Sequence, residues 1–240
     1  MKIAVFSVLF VAEILALSHY IKIMYPKIGW NTLFSKSICL LIFVITAVVA
    51  QFFNGEGLTF NTMLIAFVCS FFGDVFLHVY PKLGSEIVNY ALGGVSFLAG
   101  HILYIISFAN AEKGFVLPEN ILAIQLVAAA VLCVAVNILM RVFGLKLGKV
   151  FTVPVIIYSF ALMIMVVKAV TVGYMFIVSG TGVAPAIIIS IGAIAFAASD
   201  IVLASDFFTG GKDLKKKTAN MILYYGGQML LATSLLWINL

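Results

Sequence analysis

Residues 185–205 read PAIIISIGAIAFAASDIVLAS, and how that stretch is understood decides the architecture. At 1.5 Å per residue, a helix of this length crosses the roughly 30 Å hydrocarbon core of a bilayer. Its single charge is Asp200. A carboxylate at that depth costs several kcal/mol unless it is paired, hydrated or protonated, so an intramembrane acid is read first as a functional group. A second acid stands in a matching frame. Asp74 lies in Phe71-Phe72-Gly73-Asp74-Val75-Phe76-Leu77, and Asp200 in Ala197-Ala198-Ser199-Asp200-Ile201-Val202-Leu203.

The rest of the chain agrees with that stretch. It is 64% hydrophobic and 10% charged, with a mean hydropathy of +1.23, whereas soluble domains are nearer half apolar and a quarter charged. The class is therefore an all-α integral membrane protein, since the apolar runs are continuous rather than alternating as in an outer-membrane barrel. Cys39, Cys69 and Cys133 fall inside apolar runs and show neither disulfide nor metal spacing. The N-terminal run after Lys2 is interrupted by Glu13 and His19 and lacks a small-residue cleavage site, which predicts a retained helix.

Eight spans are expected, at about 3–21, 37–53, 60–80, 87–109, 120–140, 150–170, 185–205 and 219–239. Breakers separate them: Pro26 and Gly29, Asn54 to Gly57, Pro81 to Gly84, Pro118, Gly144 to Gly148, and Gly210-Gly211. Pro154 is placed in the first turn of the sixth span, and uncharged 171–184 as a loop or re-entrant piece. The whole of 1–240 is read as one transmembrane domain. Lys22, Lys27, Lys36, Lys82, Arg141, Lys146, Lys149, Lys212, Lys215, Lys216 and Lys217 lie on one side, against Lys2, Lys113 and Lys168 on the other. Eleven against three puts the odd-numbered loops in the cytoplasm and both termini outside, in what the compact chain makes a bacterial inner membrane. The Lys212–Lys217 run reads as an anchor facing anionic lipid, with a substrate phosphate as its second reading.

The halves echo each other beyond the acids. Phe97-Leu98-Ala99-Gly100-His101-Ile102-Leu103 aligns with Tyr224-Tyr225-Gly226-Gly227-Gln228-Met229-Leu230, and Asp74 to His101 is 27 residues against 28 from Asp200 to Gln228. Lys36 and Lys149 open the second and sixth spans alike. This pattern points to a 4+4 parallel repeat of units about 1–115 and 116–240. Asp74 stands eight residues from Lys82, Tyr225 eight from Lys217, and Tyr158 nine from Lys149. Each is then roughly 12–14 Å inside the cytoplasmic boundary, with His101 and Gln228 deeper. The expectation is a polar cavity with apolar walls, open to the cytoplasmic leaflet. Two carboxyls in such a cavity do not both ionise, which divides them into a general acid and a carboxylate. No G-x-S-x-G elbow, H-E-x-x-H or Cys/His metal spacing is present. The chemistry left is addition of water to an acid-labile bond.

Gly73-Asp74-Val75-Phe76-Leu77, Gly94 to Phe97 with Gly100-His101-Ile102-Leu103-Tyr104, Val155 to Tyr158, Phe196 to Asp200, and Tyr224-Tyr225 through Gln228-Met229-Leu230 resemble, in order and spacing, the YhhN-type lysoplasmalogenase family. The likeness runs from about residue 36 to 235 and implies an eight-helix hydrolase that cleaves the vinyl ether of lysoplasmalogens. Its products are a fatty aldehyde and glycerophosphocholine or glycerophosphoethanolamine. It implies Asp74 and Asp200 as the catalytic acids, with His101, Tyr104, Tyr158, Tyr224, Tyr225 and Gln228 positioning water and substrate. Lys36 and Lys149 become candidates for the phosphate; Ser37 departs from the family, which often has Pro there. The expected partners are a lysophospholipid substrate and membrane lipid, with no nucleic acid, metal or cofactor, and the oligomeric state is left open. The rival reading is a proton-coupled transporter that uses the same acids as a relay.

Overall fold

A computed structural model describes residues 1–24, 29–55, 62–83, 86–142, 148–210 and 213–238, with backbone alone at 79–83, 86–87 and 149–150. Every regular element among these residues is an α-helix: α1 (Lys2–Ile23), α2 (Trp30–Asn54), α3 (Thr62–Leu83), α4 (Glu86–Glu112), α5 (Ile121–Val142), α6 (Lys149–Val178), α7 (Val183–Phe208) and α8 (Leu214–Ser234). Six of them, α1, α2 and α4–α7, are long and apolar enough to cross a bilayer, which makes this a multi-pass membrane protein. The two other expected spans are helical but outside that class among the described residues. The apolar part of α3 is the shorter Thr62–His78, and α8 opens on Lys215, Lys216 and Lys217.

The helices form two compact units. Unit 1 comprises Met1–Ser107 and Gln228–Leu240, and unit 2 comprises Phe108–Gly227. In unit 1 an aromatic column fills the interior: Phe43 and Phe67 lie 5.6 Å apart, and Phe67 meets Tyr104 edge-on at 5.5 Å. α3 and α4 approach through glycines, because a Cβ at Gly73 would stand 2.8 Å from the Phe97 ring and one at Gly93 would stand 2.9 Å from Leu77. Small residues at such crossings let membrane helices touch backbone to backbone. The C-terminal segment is tied back into the same unit, where Asn54 Nδ2 donates to the Ile238 carbonyl at 2.9 Å and Thr46 Oγ1 lies 3.6 Å from Met229 Sδ.

Unit 2 packs α6, α7 and the start of α8 by the same device. A Cβ on Gly227 would fall 2.9 Å from the Gly192 carbonyl and 2.8 Å from the Phe196 nitrogen. Its second feature is a closed polar ring. Lys168 Nζ donates to Glu112 Oε2 at 2.6 Å and to Gln125 Oε1 at 2.9 Å, while Gln125 Nε2 donates to Glu112 Oε1 at 2.5 Å. All three side chains are buried.

Several boundaries correct the sequence reading. α2 begins at Trp30 rather than 37, so Lys36 is an interior helical residue and not a loop anchor. α6 runs on to Val178, so 171–178 is neither loop nor re-entrant piece. Gly173 did not stop it because its bare face packs on Ala186 and Ile189 of α7; the helix ends where Gly180 takes φ +79°. Pro154 lies in the second turn of α6, not the first. Lys168 joins the buried ring and leaves the loop tally as Lys36 does, so the bias becomes ten against two. Of the other lysines in that tally, Lys27, Lys146 and Lys212 lie outside the described residues, and only the backbone of Lys82 and Lys149 is described. The breakers Pro26, Glu56-Gly57, Gly84, Gly144 and Gly211 also lie outside them.

Candidate active site

In unit 1 the functional residues gather on α2 and α3. Thr32, Ser35, Lys36 and Cys39 follow the i, i+3, i+4, i+7 spacing of one helix face, and all four are buried. Lys36 turns that face into an ion pair, its Nζ 2.6 Å from Asp74 Oδ1, with 4% and 3% of the two residues exposed. The glycine before the acid has a steric reason, since the Phe97 ring occupies the space a Cβ at 73 would need. One turn on from Asp74, His78 is buried against Thr32, with Nε2 3.0 Å from Oγ1, and its ring centroid is 6.5 Å from that of Tyr20.

Deeper in unit 1, Tyr104 OH donates to Gln228 Oε1 at 2.8 Å. That bond fixes the amide, leaving Gln228 Nε2 as a buried donor with no partner among the described residues. His101 is fully buried in the same unit. Glu13 of α1 is 4% exposed, and neither carboxyl oxygen has a hydrogen-bond partner among the described residues.

Unit 2 holds the other acid. Tyr158 OH donates to Asp200 Oδ2 at 2.6 Å. The neighbouring Ser199 turns its hydroxyl back to the Phe196 carbonyl at 2.6 Å, and its own carbonyl accepts from Asn220 Nδ2 at 2.7 Å. α7 and α8 are thereby pinned at the residue before the acid. Tyr224 packs edge-on against Phe196 at 5.6 Å and against Tyr225 at 5.0 Å, and both tyrosines are buried. Of the residues nominated from sequence, the structure joins Lys36 to Asp74, Tyr104 to Gln228, Tyr158 to Asp200 and Tyr224 to Tyr225. The Lys149 side chain lies outside the description. Among the described residues no three His, Cys, Asp or Glu side chains form a metal-ligand group.

Two things were missed. Lys36 was assigned to a substrate phosphate, and the structure gives it to Asp74; Thr32, Ser35 and Cys39 at helical spacing around it were the available signal. The ring at Lys168 was missed because its members are far apart in sequence and each sits near an assumed span end.

The family model described as the YhhN family matches residues 30–235. The chain belongs to the YhhN family. The match opens on the first residue of α2 and closes one residue past α8, so the YhhN segment contains Lys36, Asp74, His101, Tyr104, Tyr158, Asp200, Tyr224, Tyr225 and Gln228 and leaves α1 outside. No curated protein and no solved structure matches the chain.

Proposed function

We propose that this YhhN protein is a lysoplasmalogenase, hydrolysing the vinyl ether of a lysoplasmalogen to a fatty aldehyde and a glycerophospho-base. One observation carries the reading: both aspartates fall in the YhhN segment, and each is buried and engaged by a second side chain that can tune it. Vinyl ether hydrolysis needs a proton delivered to the β-carbon, which moves the alkene electrons and leaves an oxocarbenium ion. Water adds to that cation and loses a proton, and the hemiacetal collapses to aldehyde and alcohol. The ion pair with Lys36 presupposes a carboxylate at Asp74, so Asp74 takes the cation-stabilising and water-orienting role. Asp200, hydrogen-bonded by the Tyr158 phenol, then takes the proton-donor role. The idle Gln228 Nε2 donor, with His101, Tyr224 and Tyr225, serves to hold water and substrate oxygens.

In the same reading α3 and α8 also cross the bilayer, giving eight spans with both termini outside the cytoplasm of a bacterial inner membrane and a 4+4 repeat. Cysteine-labelling of Lys113 and Arg141 positions in intact cells tests that orientation. The activity is tested by incubating purified protein in detergent with choline and ethanolamine lysoplasmalogens and measuring free aldehyde. Asp74→Asn and Asp200→Asn each reduce turnover by about two orders of magnitude or more, the usual size of a lost acid–base group. Near-normal aldehyde release from both variants defeats the mechanism. No aldehyde from wild-type protein, with proton-driven flux in sealed vesicles, hands the acids to the transporter reading.

A further inference from the structure

Unit 1 poses a problem of access and holds a buried acid that the chemistry above does not use. Asp74 must reach its substrate, yet it and Lys36 are almost wholly buried, so no lipid touches the pair until a wall moves. The unused group is Glu13, buried on α1 with neither carboxyl oxygen hydrogen-bonded among the described residues.

The walls of this unit are held unequally. α3 and α4 touch backbone to backbone, since a Cβ at Gly100 would stand 3.3 Å from the Ala66 carbonyl, beyond the close approaches at Gly73 and Gly93. The C-terminal segment is hydrogen-bonded to α2 and α4 through Asn54 and Tyr104. α1 packs on α2 with no such tie. It buries only Phe6, Glu13 and Tyr20, each seven residues from the last, which makes a single seam. Of its apolar stretch 17% is covered, against 44% for α2 and 39% for α4. Its one side-chain hydrogen bond among the described residues runs from Lys2 Nζ to the Phe53 carbonyl, exposed and at the far end from Lys36.

That seam lies over the ion pair. Tyr20 is within reach of the charges of Lys36 and Asp74, and its ring centroid is 6.5 Å from that of His78. Glu13 faces Cys39, which is fully buried one turn from Lys36 on the same side of α2. Lipid tails are as apolar as the seam, so Phe6 and Tyr20 hold α1 by packing alone, without the hydrophobic drive they would have in water. At the middle of the seam, where a leucine would pack, Glu13 leaves two buried oxygens idle, which weakens the attachment. We propose that α1 is a movable cover, which swings off α2 at its Tyr20 end and lets a lipid reach Lys36 and Asp74 from the side, and that Glu13 keeps its latch weak. The inference rests on the lysoplasmalogenase reading for what enters, while the movement of α1 is tested without any chemistry.

In a Cys69→Ala, Cys133→Ala background Cys39 is the one thiol left. Its alkylation by N-ethylmaleimide in detergent, well below the melting midpoint and read by mass, measures how often α1 is off. Slow labelling is expected. Glu13→Leu, which packs the seam, should slow it about tenfold or more, and Glu13→Gln, which keeps a polar tip there, should not. His19 and Asn31 are exposed and line one cleft between the two helices. His19→Cys with Asn31→Cys can therefore be tied by a bismaleimide whose spacer contains a disulfide. The tie should stop Cys39 labelling and aldehyde release together, and cutting the spacer with a reductant should restore both. Four results overturn the proposal: no labelling of Cys39 in the folded protein, labelling unchanged by Glu13→Leu and by the tie, Glu13→Gln labelled as slowly as Glu13→Leu, or full aldehyde release from tied protein. Labelling that the tie suppresses, with no aldehyde from untied wild-type protein, keeps the cover and removes the hydrolase reading.

Discussion

Lys168→Met tests whether the ring with Glu112 and Gln125 holds unit 2 together. The substitution keeps the length and apolar character of the stem but removes the ammonium. Glu112 is then left buried with the Gln125 amide alone, in place of the two bonds the ring supplies. Breaking a buried pair from one side costs about 3–5 kcal/mol, because the surviving charge stays desolvated. For a chain of this size each kcal/mol moves the midpoint about 2–4 °C, so the drop is on the order of 10 °C. Glu112→Leu strands the ammonium and falls by a similar amount. The double variant has no charge left to solvate and recovers to within roughly 1–2 kcal/mol of wild type. The assay is thermal unfolding in detergent followed with a thiol-reactive dye, since Cys39 and Cys133 are buried and react only on opening. A Lys168→Met shift below about 2 °C, or a double variant that merely adds the two losses, refutes the coupling.

Lys36→Met should lower aldehyde release by about two orders of magnitude, because Asp74 loses the cation that holds its charge and position; a variant above half of wild-type turnover removes Lys36 from the mechanism. Tyr158→Phe deletes a hydrogen bond to Asp200, which for a neutral acid is of a kind worth about 0.5–1.5 kcal/mol. Turnover should therefore fall roughly 2- to 10-fold with the melting midpoint lowered by no more than a few degrees, and a large loss of stability at full activity contradicts this. Gly227→Ala forces a methyl into the α7–α8 crossing, costing about 1–3 kcal/mol, and an unchanged midpoint shows the helices are not in backbone contact there. Glu13→Leu removes a buried carboxyl with no partner among the described residues and should raise stability by about 1–3 kcal/mol. A lowered midpoint means Glu13 has a partner.

The membrane class and the two acids were readable because hydropathy is a local property and a charge within an apolar run stands out against it. Span ends were readable only where a breaker acts locally. Around Lys36 and Lys168 the sequence shows a charge, and a charge ordinarily marks the edge of a span. Both are carried inside helices because an acid 38 and 56 residues away neutralises them, and no window of one helix contains that acid. Tyr104 with Gln228 and Tyr158 with Asp200 were nominated separately by type and resemblance. Their pairing follows from helix rotation, which apolar runs with weak periodicity do not specify.

The return of residues 228–238 into the unit begun by α1 has a consequence for biogenesis. The ribosome makes α1 to α3 and most of α4 first, yet the partners of Thr46, Asn54 and Tyr104 emerge last. Until then the earliest-synthesised helices wait in the lipid with an unfilled seam, exposed to quality-control proteases. The first unit to be translated is thus the last to be finished, and a ribosome stalled before codon 228 leaves a product that cannot close.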